Sequence, residues 1–158
     1  MTHAELCSAL PGGRAFASQE GDALTRIDWT DQAPLPPSTP LLRCAVQQLN
    51  AYFAGQLTQF DLPLSPEGTA FQRAVWAQLC QIPYGQTRTY GEIAARMGRP
   101  KAARAVGMAN HRNPLPILIP CHRVIGASGA LTGYAGGLEK KQTLLALEGC
   151  WLSLPTHR

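Results

Sequence analysis

The sequence predicts an α+β protein in two parts. A small N-terminal αβ part spans residues 1–64, and a helical C-terminal part, 65–158, contains a helix-turn-helix and an active-site cysteine. Three observations lead there. A strand–turn–strand pattern followed by an amphipathic helix fills the first part, two capping boxes open helices in the second, and the charge changes sign between them. Residues 1–67 carry three Lys/Arg against seven Asp/Glu, a net −4, whereas residues 68–158 carry eleven against three, a net +8.

In GRAFASQEGDALTRIDW the turn signal Glu20-Gly21-Asp22 separates two strand-like runs, which predicts a β-hairpin. QAPLPPSTP is too stiff and donor-poor for regular structure and reads as a linker. Leu41 to Phe53 predicts a helix with Leu42, Val46, Leu49 and Phe53 on one stripe. DLPLSPEG is a second linker, and the charge switch falls there. Beyond it, Thr69-Ala70-Phe71-Gln72 is a capping box opening a helix with Phe71, Val75, Trp76 and Leu79 on one face. Thr89-Tyr90-Gly91-Glu92 is another, starting a short helix to about Met97.

Gly98 interrupts, and Pro100 suits the first turn of a third helix, Lys101 to about Asn110. Two short helices around a glycine turn make either a helix-turn-helix or an αα-hairpin with no nucleic-acid role. The composition of the third helix, KAARAVGMAN, favours the former. Ala102, Val106 and Ala109 fall on one face and pack inward, while Lys101, Arg104 and Met108 fall on another. Small side chains let the axis approach a phosphate backbone or narrow groove, with Arg104 projecting furthest.

Hydrophobic content of 45% and charged content of 15% fit a globular protein. No apolar run reaches the ~20 residues that span a bilayer, and the N-terminus has no signal-peptide pattern, so a cytoplasmic protein with no membrane partner is expected. Five cysteines, odd in number and without a CxxC pair, argue against a disulfide framework and a zinc knuckle. His3, Cys7 and Cys44 lack ligand spacing, so no metal and no cofactor are expected. The basic half fits a polyanionic partner, nucleic acid above all, and on charge alone equally a merely soluble basic surface.

The chemistry concentrates in NPLPILIPCHRV, Asn113 to Val124. Ile117 to Ile119 read as a short buried strand that Pro120 ends, and Cys121, His122 and Arg123 follow at once. A neighbouring imidazole or cation lowers a thiol's pKa and makes it nucleophilic. Cys7, Cys44, Cys80 and Cys150 have no such neighbours and read as small buried hydrophobes. Successive strand residues point to opposite faces, so Cys121 and His122 need a turned backbone or a bridging water to cooperate. Glu148, which ends the last helix before Gly149, is a candidate to orient His122.

IPCHRVIGASGALTGYAGGLEKKQTLLALEG, preceded by TYGEIAARMGRPKAARAVGMANHRNP, closely resembles the O6-alkylguanine-DNA alkyltransferase family, with its PCHR signature intact as Pro120-Cys121-His122-Arg123. The resemblance runs from about Phe71 to Gly149; the N-terminal part is similar only in size and α+β character. It implies direct-reversal repair of double-stranded DNA, in which a flipped O6-alkylguanine passes its alkyl group irreversibly to Cys121. O4-alkylthymine is a second candidate substrate. His122 matches the residue that takes the thiol proton through a water, Glu148 the acid that orients it, and Asn113 the asparagine bracing the active-site turn. Tyr90 matches the tyrosine against the flipped base and its phosphate, suited to donate to the departing guanine. Arg104 matches the arginine that fills the gap in the duplex. Lys101, Ala102 and Arg123 are placed with it at the DNA.

Tyr134 and Ala135 are assigned to the lesion pocket, although Tyr134 has simple packing as its alternative. Ala135 stands where some relatives carry a serine, so a backbone N–H remains there and a hydroxyl does not. A thioether has no route back to the thiol, so each molecule is expected to act once, as a monomer. Two other functions compete: a DNA-binding regulator that transfers nothing, and a cysteine hydrolase built from Cys121, His122 and Glu148.

Overall fold

A computed structural model describes residues 2–6, 14–30, 39–129, 131, 133–134 and 137–150, with backbone only for 2–6, 14 and 30. The chain divides into two compact units, Met1–Glu67 and Gly68–Arg158.

In the first unit the predicted hairpin forms as β2 (Arg14–Glu20) and β3 (Ala23–Thr30), turning at Gly21 and Asp22. A further strand, β1 (Thr2–Leu6), pairs antiparallel with β2 and gives the order β1-β2-β3. THAEL carries no β-branched or aromatic run, so sequence pattern passed over it; pairing supplies what propensity lacks. Helix α1 (Pro40–Phe53) starts on Thr39, whose hydroxyl accepts from Leu42 N, with Pro40 in the first turn. Its buried face is Leu42, Ala45, Leu49 and Tyr52, so Ala45 and Tyr52 replace the predicted Val46 and Phe53. The second linker lies along β3: Leu24 N donates to Pro63 O and Ser65 N to Leu24 O.

In the second unit both capping boxes form. Thr69 and Gln72 open α2 (Ala70–Leu79), and Thr89 and Glu92 open α3 (Tyr90–Arg96). Val75, Trp76 and Leu79 are the buried face of α2, and Phe71 is half-buried. The end of α3 is a Schellman motif, with Gly98 at φ 72° and Arg99 N donating to Ala94 O. Helix α4 spans Ala103–His111, two residues later than Lys101. The reason is local: Ala102 N donates to Arg99 O, closing a β-turn in which Pro100 takes the second position. Val106, Ala109 and Asn110 face inward, and Trp76 of α2 donates its indole N–H to Ala109 O at 2.8 Å.

Ile117 to Ile119 are buried as expected but form a turn, not a strand. Ile117 has φ 76°, a conformation a β-branched residue rarely adopts, and Ile119 N closes the turn on Leu115 O. Prolines at 116 and 120 and the glycine-free run between them hide this from periodicity. After a single 3-10 turn, Cys121–Arg123, strand β5 (Val124–Ile125) pairs parallel with β4 (Arg88–Thr89). The final helix, α5 (Leu138–Leu147), ends in a second Schellman motif with Glu148 as its cap and Gly149 at φ 83°.

Candidate active site

The active-site turn is held by backbone and amide bonds from one side. Cys121 N donates to Ile119 O at 2.7 Å across Pro120, whose φ −78° and ψ 65° make an inverse γ-turn. Asn113 Nδ2 donates to the same Ile119 carbonyl at 2.9 Å, and Asn113 Oδ1 accepts from Leu115 N. Asn110, on α4, donates to Cys121 O at 3.3 Å. The turn that follows resolves the strand objection, because a 3-10 turn does not send Cys121 and His122 to opposite faces.

Cys121 and His122 are buried, and His122 Nε2 lies 2.8 Å from Glu148 Oε2. Glu148 also accepts from Arg123 Nε at 2.8 Å, from Arg123 through its second terminal nitrogen at 2.9 Å, and from Gly85 N at 3.4 Å. A buried carboxylate with these donors is a fixed acceptor, and Nε2–H is the tautomer it selects. His122 Nδ1 is then the open nitrogen, buried and, among the described residues, without a hydrogen-bond partner.

Arg123 corrects an expectation. It lies 7% exposed, stacks beside Tyr84 and donates to Ile82 O at 2.6 Å as well as to Glu148. It holds the acid of the site and leaves little of its side chain at the surface. Nor does His122 or Arg123 lower the Cys121 thiol as proximity in sequence suggested. Burial pushes that thiol up to about 11, opposed by hydrogen bonding from Asn113 and by the charge of Lys141. His122 is shifted below its ordinary value, first by burial and against the pull of Glu148, so the imidazole is held neutral.

Lys141 is the residue that sequence reading passed over. It is fully buried, donates to Val124 O at 2.7 Å, and is pushed by burial down from 10.5 to about 8. EKKQ looks like a solvated helix start, yet Lys141 stands seven residues before Glu148 and so on the same face of α5. Asn110 was likewise missed among the small residues of α4.

Tyr90 and Arg104 come together along a separate groove of about 710 Å³, lined also by Ala103, Gly107 and Met108. Arg104 and Lys101 are exposed, Tyr90 and Ala102 are half-buried, and Met108 is 60% exposed. Tyr134 is buried, and Ala135 lies outside the described residues. Cys44 and Cys80 are exposed, unlike the buried Cys150, and Cys7 falls outside the described residues. Among the described residues no three His, Cys, Asp or Glu side chains cluster as metal ligands, and no helix is long and apolar enough to cross a membrane.

A helix-turn-helix with a projecting arginine, carried beside a buried cysteine–histidine–glutamate array, defines a class: DNA-acting proteins whose own cysteine is the nucleophile. Residues 70–150 match the family described as 6-O-methylguanine DNA methyltransferase, DNA binding domain, and residues 12–66 match its ribonuclease-like domain. The methylated-DNA–protein-cysteine methyltransferase of Mycolicibacterium paratuberculosis is 67% identical over 144 residues, 87% of each chain. That of Methanosarcina acetivorans is 65% identical over 107 residues, 68% of this chain and 69% of the relative. The crystal structure of Mycobacterium tuberculosis OGT in complex with DNA superposes with a TM-score of 0.84 at 49% identity, covering 94% of this chain and 92% of that one. The chain belongs to the methylated-DNA–protein-cysteine methyltransferase family.

Proposed function

We infer that the protein repairs alkylated duplex DNA by taking the alkyl group of a flipped O6-alkylguanine onto Cys121. The observation that carries this is the 2.8 Å contact of His122 Nε2 with Glu148, which leaves Nδ1 as the ring's acceptor on the residue that follows Cys121 in the chain. At neutral pH the Cys121 thiol holds its proton, because burial places it near 11. His122, kept neutral, takes that proton at Nδ1, directly or across one water, and Glu148 stabilises the imidazolium. The Lys141 ammonium favours the thiolate as it forms.

The thiolate attacks the alkyl carbon in line. A C–S bond forms, the C–O6 bond breaks, and its electron pair leaves with the guanine. Guanine gains the proton that balances the one lost by the thiol. Tyr90 hands it over and is reprotonated from solvent. Extruding the base costs a few kcal/mol of unstacking, less for a poorly paired lesion, and Arg104 entering the gap offsets part of that. In this reading residues 65–158 bind DNA and carry the chemistry, residues 1–64 support them, and Lys101 and Ala102 flank Arg104 at the duplex.

The test is intact and peptide mass spectrometry after mixing the protein with excess duplex bearing one O6-methylguanine. One methyl on the Cys121 peptide, with lesion lost one for one, is the expected result, and Cys121→Ala removes it while retaining lesion binding. Repeated turnover would point to a hydrolase, and binding without modification to a regulator.

A further inference from the structure

A second groove, of about 480 Å³, lies between α2 and the end of α3, away from Tyr90 and Arg104. Phe71, Ala74 and Gln78 of α2 line one side, and Arg96, Met97 and Arg99 the other. The Arg99 guanidinium sits 5.7 Å over the Phe71 ring, which restrains it without neutralising it. Both arginines are exposed, and among the described residues neither side chain makes an ion pair or hydrogen bond. Acids to balance them are scarce here. Of Glu92, Glu139 and Glu148, the first caps α3 and the last is buried under His122. The groove is therefore a cleft with Phe71 in its wall and two arginines free of ion-pair partners among the described residues.

Its place in the fold names what it binds. Arg96 closes α3, and Arg99 leads through Pro100 and Lys101 into α4, so both stand at the turn of the helix-turn-helix. In this motif the second helix enters a groove while the first crosses the sugar–phosphate backbone. The end of α3 and the turn then lie beside the strand that flanks the insertion of α4. We propose that the Phe71–Arg96–Arg99 cleft is a phosphate-binding site that grips the DNA backbone beside the lesion, extending the contact surface beyond Arg104 and Lys101. Its chemistry is the fork of an arginine on a phosphate, with Phe71 pre-ordering one fork and the Gln78 amide available as a further donor. The proposal rests on the reading that this helix-turn-helix docks on duplex DNA.

The experiment uses the full chain and a duplex carrying one O6-methylguanine, short enough to hold one copy, with Kd measured across a series of NaCl concentrations. Removing one cation from a phosphate lowers the slope of log K against log salt by about 0.9. Arg96→Gln with Arg99→Gln is expected to lower it by about 2 and weaken binding most at low salt, while Arg96→Lys with Arg99→Lys keeps most of the slope. Thermal midpoints check that the variants fold, and each single glutamine variant, worth about one unit of slope, carries the test should the double variant fail. An unchanged slope and affinity would overturn the proposal. So would an unchanged slope on the short duplex joined to weakened multi-copy binding on a long one, which assigns the cleft to an interface between copies. Alkyl transfer is scored separately: a slope that changes as expected, with wild type that never methylates Cys121, refutes the repair reading and leaves the cleft standing.

Discussion

Arg104 stands exposed on α4, and Arg123 lies buried against Glu148, although both belong to the same basic half of the sequence and both read as DNA contacts. Arg104 is set among small residues and ends in solvent. Arg123 follows a buried 3-10 turn, and its fork is used on one carboxylate and one carbonyl. Net charge thus counts cations without saying which way they point. A guanidinium facing outward contributes to a field; one facing inward sets the geometry of an acid.

Replacing each residue breaks the comparison in a different observable. Arg123→Ala leaves Glu148 with buried charge and fewer donors, and is expected to cost about 3–5 kcal/mol in chemical denaturation. The salt slope of DNA binding, measured on protein that remains folded, stays as in wild type; a fall of about one unit would return Arg123 to the DNA surface.

Lys141→Met sharpens it further, because Lys141 is a buried cation that donates to a backbone carbonyl, Val124 O. Removing it is expected to slow transfer about tenfold, equivalent to about 1.4 kcal/mol of lost thiolate stabilisation, while raising stability at pH 7 by about 2 kcal/mol. The sign follows from linkage. The folded pKa of about 8 lies below the ordinary 10.5, so between those values the unfolded chain binds more protons and stability rises with pH. Cys121, raised to about 11, acts in the opposite direction above 9, so the quantity to compare is the difference between wild type and variant. That difference should fall by about 3 kcal/mol from pH 8 to 10.5 and so change sign, leaving the variant the less stable at the upper end in melts across pH; a constant difference would refute the assignment.

The smallest effect is expected from Arg104→Ala. Transfer from duplex should slow about fivefold more than transfer from free O6-alkylguanine base, because only the duplex must be opened. Equal slowing of both substrates, in single-turnover assays, would mean that Arg104 does not fill a gap in the stack.

What the sequence makes legible is local. The capping boxes at Thr69 and Thr89 are complete within four residues, so the sequence specifies them directly. The Gly21 turn and the outward set Lys101, Arg104 and Met108 are similarly short-range. What escapes depends on partners far along the chain. Ile117 reads as strand because its left-handed φ is imposed by the turn around it and by Asn113. β1 becomes a strand only by pairing with β2. The direction of Arg123 depends on Glu148, twenty-five residues on, and the burial of Lys141 on Val124, seventeen residues back. Cys121, His122 and Glu148 can be named from sequence, but the environment around them cannot, since burial has no signature in a three-residue motif.

The two-residue parallel pair of β4 with β5 has a consequence for engineering. Arg88 and Thr89, which lead into the DNA-reading helices, are registered directly on Val124 and Ile125, which leave the nucleophile. Asn110 adds a second tie, from α4 to the Cys121 carbonyl. Reader and reactor are therefore not separable cassettes. A graft of α3 and α4 onto another scaffold would carry the address without the chemistry, and altered targeting is better sought by changing side chains on the intact frame.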